Sequence, residues 1–307
     1  MNMISENFGD LLDPRFRKIY DEEYEENIKD GVKDLLYTTI NPGKRDNYKV
    51  SGVGAMGDME EWGGSVTYDD FVQLYDTTIE FTQFVTGFKV ERKLADDELF
   101  GIMDGRPRQM AISVARTREK KAAGPFNTGF TATASTSTDV SGGDGVALFS
   151  SSHPYSPEDA TTYDNSGTDA ISATSIEATR RIGLRDIPND RGEMLNVNYD
   201  TIICTSVLQQ KVWEIIKSDK IVDSAYNNKN FHQGRYDMIV WDRLSDSKNW
   251  FFADKKLMKL FLLWLERIPP EYKADRDFDT MVAKWSVYGR WNNWYADPRW
   301  VYGHSVS

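Results

Sequence analysis

Eight of the nine tryptophans lie at or beyond Trp213, and five of them fall from Trp264 onward. A buried indole takes about 200 Å² out of water, so this end of the chain must close a core, meet a partner, or do both. The spacing is that of a strand. Met281, Ala283, Trp285, Val287, Gly289 and Trp291 recur at period two on one face. Trp291-Asn292-Asn293-Trp294-Tyr295 then breaks the rhythm with two amides. Several of these rings must fill a core, but polar residues among indoles also suit a subunit contact. Trp62, Trp291, Trp294 and Trp300 are the candidate contact aromatics.

Ahead of that region the chain alternates helix and strand patterns without a βαβ rhythm, which makes the class α+β. Phe16, Ile19, Tyr20, Tyr24 and Ile28 predict an amphipathic first helix, with an acidic cluster at Asp21, Glu22, Glu23, Glu25 and Glu26. It reads equally as an arm that docks elsewhere and as an ordinary first helix. Asn41-Pro42-Gly43 breaks the chain. Tyr48–Tyr68 is glycine-rich, with strand-like pieces at Tyr48–Val50 and Ser65–Tyr68, and suits an extended hairpin or loop. Thr77–Arg92 reads as strands. Leu94–Ala123 is the longest helical pattern, started by Asp96 and Asp97, kinked or split at Pro107 and ended by Gly124-Pro125. Its second half carries Arg106, Arg108, Arg116, Arg118, Lys120 and Lys121 against Glu119. That basic row fits DNA, an acidic arm of this or a neighbouring subunit, or plain solvent.

Residues 131–175 form a loop-rich connection with room for one hairpin, interrupted by the apolar patch Val146–Phe149. A helix at Ser175–Leu184, a buried strand at Thr201–Thr205 and a helix at Ser206–Ser218 follow. Strands are expected at Tyr236–Trp241, Trp250–Ala253 and Met258–Leu265.

Motifs for chemistry are sparse. The three histidines, His153, His232 and His304, stand singly, with no HExxH, zinc spacing, GxSxG or phosphate loop. Ser151-Ser152-His153-Pro154 reads as a turn, since consecutive residues rarely present a triad. Cys204, the single cysteine, sits in an apolar strand as a small hydrophobe and has no intrachain disulfide partner, which fits a reducing cytoplasm. Asp275, Asp277 and Asp279 alternate but lack an EF-hand's glycine and glutamate. No cofactor and no metal are expected. The net charge of -11 disfavours non-specific polyanion binding. The longest apolar run, Leu260–Leu265, is too short to cross a bilayer, and Met1–Leu12 lacks the apolar run of a secretory signal.

The order of several phrases resembles the major capsid proteins of tailed phages with the HK97-like fold, in particular the Mu-like major head subunit group. The phrases are Glu61-Trp62-Gly63-Gly64-Ser65-Val66-Thr67-Tyr68-Asp69, Leu94-Ala95-Asp96-Asp97 and Arg116-Thr117-Arg118-Glu119-Lys120-Lys121-Ala122-Ala123. Phe126-Asn127-Thr128-Gly129-Phe130, Ala147-Leu148-Phe149-Ser150-Ser151-Ser152-His153-Pro154, Gly192-Glu193-Met194-Leu195 and Asn249-Trp250-Phe251-Phe252 complete the set. The resemblance implies an N-terminal arm (1–46), an E-loop (47–76) and a peripheral domain with a spine helix (77–169). An axial domain (170–274) and a return to the peripheral domain with the C-terminal segment (275–307) complete it. It further implies a non-enzymatic homo-oligomer of pentamers and hexamers closing an icosahedral head around double-stranded DNA, held by weak non-specific contact. A separate scaffolding protein, a portal and room for a decoration protein go with it, as does assembly in the host cytoplasm into a virion, with no membrane. Lys49 is the only lysine of the E-loop, and no isopeptide cross-link is expected. The rival readings are an encapsulin-like compartment shell, a tail-tube or other virion protein, and a hydrolase using Cys204 or Ser152.

Overall fold

The computed structural model describes residues 8–29, 31–59, 61–66, 68, 70, 72–91, 103–131, 143–220, 229–277 and 282–307. The first helix, α1 (Phe8–Lys29), buries Phe16 and Tyr20, one turn apart, and half-buries Ile19, Tyr24 and Ile28. A short α2 (Lys33–Leu36) leads into β1 (Thr38–Ile40). The break at Asn41-Pro42-Gly43 is a turn in which Gly43 takes a φ of +70° and its amide donates to Asn41 Oδ1 at 2.9 Å.

β2 (Asn47–Val53) and β3 (Gln73–Glu80) make an antiparallel hairpin, from Asn47 opposite Glu80 to Val53 opposite Gln73. The expected partner piece at Ser65–Tyr68 is not a strand: Ser65, Val66 and Tyr68 lie in the connecting loop. Register explains the difference, because Phe81 links β3 directly to β4 (Thr82–Glu91) and β2 pairs with the chain just before that link.

α3 (Gly105–Asn127) ends later than its sequence pattern suggests. Asp96, Asp97 and the rest of 92–102 lie outside the described residues. The helical pattern is split at Asp104, a turn between helical Met103 and Gly105, and Pro107 follows in the first turn of α3, where the backbone amides have no intrahelical acceptor. Gly124-Pro125 does not end the helix. Pro125 cannot donate to the Lys121 carbonyl four residues back, and Asn293 Nδ2 donates to that carbonyl instead, at 3.0 Å. α1 runs parallel beside α3, from Arg15 at Asp104 (2.5 Å) to Tyr24 at Arg118 (3.1 Å).

Among its described residues the loop-rich stretch holds one small hairpin, β5 (His153–Pro154) with β6 (Thr162–Tyr163), and then β7 (Ser166–Gly167). α4 (Ala173–Arg185) begins at a reciprocal Ser172–Ser175 cap. β8 (Thr201–Cys204), α5 (Ser206–Lys217) and β9 (Asp237–Val240) form a parallel crossover unit. β10 (Trp250–Ala253) follows. Where a strand was expected from Met258, Asp254 accepts from the amides of Lys256 and Leu257 and nucleates α6 (Lys255–Phe261). Extended chain begins only at β11 (Leu262–Asp277). β12 (Val282–Tyr295) and β13 (Val301–His304) complete the fold.

One sheet has the order β1-β11-β12-β4 and the other β7-β13-β10-β8-β9. The long β11–β12 pair shifts register around Pro269-Pro270, where two ladder donors are missing. β10 and β8 divide two cores between their faces. Phe251, Ala253 and Ile203 join Phe126, Phe149, Trp241, Trp264, Trp291 and Trp300 on one side. Trp250, Phe252, Ile202 and Cys204 join Tyr199, Val212 and Ile216 on the other.

Candidate functional site

The basic row on α3 divides when its side chains are placed. Arg106, Arg108, Arg116 and Lys120 are exposed, and Lys121 is half-buried. Arg118 is not part of any outward face, which corrects the sequence expectation. It is buried, ion-paired to Glu266 Oε1 at 2.5 Å, and donates to the Tyr24 hydroxyl at 3.1 Å. Its guanidinium lies 5.5 Å from the ring centres of both Trp264 and Trp291. A cation in that position strengthens with loss of water, and the paired carboxylate offsets its desolvation. Glu119, the one acid in that half of the helix, turns inward as well. It accepts from the Lys33 amide and from Trp241 Nε1, each at 3.0 Å.

Two acids of the cluster find partners within α1: Asp21 lies 3.8 Å from Arg17, and Glu22 lies 3.7 Å from Lys18. Glu25 and Glu26 are exposed. The tie between α1 and the start of α3 runs the other way, from Arg15 to Asp104.

The aromatic expectation is corrected for three of its four residues. Trp291, Trp294 and Trp300 are 2%, 5% and 0% exposed within the chain itself, so they have no surface for a neighbour. The Nδ2 groups of the two amides between them are engaged internally. Asn292 Nδ2 donates to the Glu80 carbonyl at 2.9 Å, and Asn293 Nδ2 reaches the Lys121 carbonyl and the Tyr37 hydroxyl. Trp62 is 71% exposed, in a loop where Met56, Met59, Val66 and Tyr68 are exposed too. Trp213, which the sequence pattern did not single out, is the other exposed indole, on the outer side of α5. Its signal was legible: Val212 and Ile216 share the buried face of that helix, and position 213 turns away from it.

No catalytic constellation forms around the polar candidates. His153 is fully buried, with Nδ1 2.6 Å from Asp144 Oδ2 and Nε2 3.3 Å from the Leu148 carbonyl. The Ser152 hydroxyl pairs with Ser150 at 3.1 Å instead. Cys204 is buried in β8, where burial pushes its thiol up to about 12, opposite to an activated nucleophile. Asp277 pairs with Lys284 at 3.2 Å, and Asp279 lies outside the described residues. No set of three metal-ligating side chains gathers among the described residues. Among them, too, no helix is long and apolar enough to cross a membrane.

Residues 74–303 match the family model described as phage capsid protein. The fold is similar to that in the asymmetric unit of the bacteriophage PhiM1 mature capsid, with TM-score 0.58 and 10% identity over 91% of this chain and 87% of that one. It is also similar to the capsid of an empty GTA particle, with TM-score 0.56 and 13% identity over 90% of each chain. The bacteriophage JBD30 capsid decorated with minor capsid protein trimers gives TM-score 0.56 and 12% identity, over 70% of this chain and 91% of that one. No curated protein sequence matches the chain.

Proposed function

This chain belongs to the phage capsid protein family, matched over residues 74–303, and we propose that its copies gather as pentamers and hexamers into a closed head around double-stranded DNA. It is a structural major capsid protein with the HK97-like fold. The observation that carries the assembly reading is the contrast between a core that uses nearly all its indoles internally and a loop that leaves Trp62, Met56, Met59 and Tyr68 in water. A single chain gains nothing from that exposure; a second copy lying under the loop does. Several modest contacts per subunit are enough, because closure engages each subunit with many neighbours at once.

In this reading residues 1–46 act as the arm and 47–76 as the E-loop. Residues 77–169 with 275–307 form the peripheral domain, and 170–274 the axial domain. A separate scaffolding protein and a portal direct closure, and a decoration protein has an outer surface to bind. The subunit works without catalysis. Arg106, Arg108, Arg116 and Lys120 supply the exposed positive charge that meets DNA or a neighbour's acidic helix, without Arg118. The test is co-expression with scaffold, followed by negative-stain microscopy and particle mass. Closed spheres of uniform size are expected, and Arg116→Glu with Lys120→Glu should give empty or unclosed particles. Tubes, or a monomer at high concentration, would overturn the reading.

A further inference from the structure

The neck of the β2–β3 hairpin is gripped by a turn distant in sequence. After Val53 leaves the ladder, the Gly54 amide still donates to the Val72 carbonyl at 2.8 Å. Residues 61–66 beyond it are all exposed. Between them, at Ala55, both backbone groups are taken by adjacent side chains. The Ala55 amide lies 3.0 and 3.2 Å from the two Asp190 carboxylate oxygens. The Ala55 carbonyl accepts from Arg191 Nε at 2.9 Å. On the returning leg, the Asp70 carbonyl lies 3.5 Å from Arg191 Nη2.

The turn that presents these two side chains is braced. Asn189 Oδ1 accepts from the amides of Arg191 and Glu193, both at 2.9 Å, and Gly192 takes a φ of +84°. Buried Arg299 supports it from beneath, donating to the Pro188 carbonyl at 2.7 Å while paired to Asp297 at 2.6 Å. Gly54 completes the fit, since a Cβ there would stand 2.6 Å from Asp190 Oδ2 and 3.2 Å from the Val72 carbonyl.

We propose that Asp190 and Arg191 are positioning residues for the loop: they latch the backbone of Ala55 and so fix the direction in which residues 56–70 leave the molecule. An ionised group on each side of one residue makes both bonds charge-assisted and directional. The latch stands on this geometry alone. Its consequence, that the loop meets a neighbouring copy at one angle, rests on the shell reading above.

Hydrogen exchange of the unassembled full chain tests it. Asp190→Ala should speed exchange in peptides covering 54–72 about tenfold, the effect of removing a charge-assisted bond from a local opening, while β8, β10 and β12 stay protected. Asp190→Asn keeps an acceptor oxygen and should restore most of the protection. Gly54→Ala should open the neck from the loop side by displacing the carboxylate, and adding it to Asp190→Ala should give no further increase. Unchanged exchange at 54–72 in both single variants, equal acceleration throughout the core, or additive effects would overturn the latch. Particles from Asp190→Ala should vary in size, and normal particles from a chain with faster loop exchange would remove the positioning role. If the wild-type chain builds no shell, the shell reading fails and the exchange result still decides the latch.

Discussion

His304, in β13, shows how a single buried side chain ties the fold to pH. Its ring stacks on Trp250 with centroids 4.1 Å apart, and its Nε2 lies 2.8 Å from Thr179 Oγ1. Burial pushes its pKa down from 6.5 to about 4, against the pull of Asp169. Below pH 6.5 the unfolded chain takes up a proton here that the folded chain refuses until about pH 4. Stability is therefore full above pH 6.5 and falls as pH drops toward 4, by about 3 kcal/mol from this one group. Burial lowers the pKa of His232 as well, so it adds in the same direction. Urea midpoints between pH 7.5 and 4.5 should show the loss, and His304→Gln should flatten the slope. An equal slope in that variant would assign the acid sensitivity elsewhere. At this scale the sequence was a poor guide to the partners of buried polar residues. The period of Met110, Ala111, Val114, Ala115 and Ala122 places Arg118 on the buried face of α3, but no local window contains its partner Glu266, 148 positions away.

Elements were far more legible where one pattern decided them alone. β8 and β10 are continuous apolar runs bounded by polar residues, and α5 carries its own periodicity, so their limits could be read almost to the residue. The cap at Asp254 was also present in the sequence, but the apolar run after it reads equally as strand or helix. The end of α3 was not legible, because a proline in the last turn ends a helix unless something else satisfies the freed carbonyl. Here that something is Asn293 on β12, which no local window contains. That contact and the one from Asn292 to the Glu80 carbonyl explain why two amides sit among the indoles. Asn293→Leu should remove the side-chain donor to the Lys121 carbonyl and cost about 1–3 kcal/mol, seen as a lower urea midpoint with fraying at the end of α3. A neutral result would mean water serves that carbonyl equally well.

At the scale of the molecule, the division of aromatic residues decides what the chain can do. Seven of its nine tryptophans lie in the two cores that share β8 and β10 or in the sheet beside them, while Trp62 and Trp213 stay exposed. Among the described residues, exposed large apolar side chains gather most densely on the loop, from Val53 to Tyr68, while others, Trp213 and Val85 among them, are spread over the surface. With a net charge of -11, a wall built as proposed should grip DNA weakly, and the exposed cations of α3 are the proposed contacts with DNA or with a neighbour's acidic helix. A symmetric reconstruction of the assembled particle, resolved well enough to trace residues 56–70, tests this account most directly. It should contain five-fold and six-fold clusters of the chain, with Trp62 buried against another copy and Trp291, Trp294 and Trp300 still inside their own. A particle without five-fold clusters, or one in which Trp62 points into solvent at every position, would contradict it.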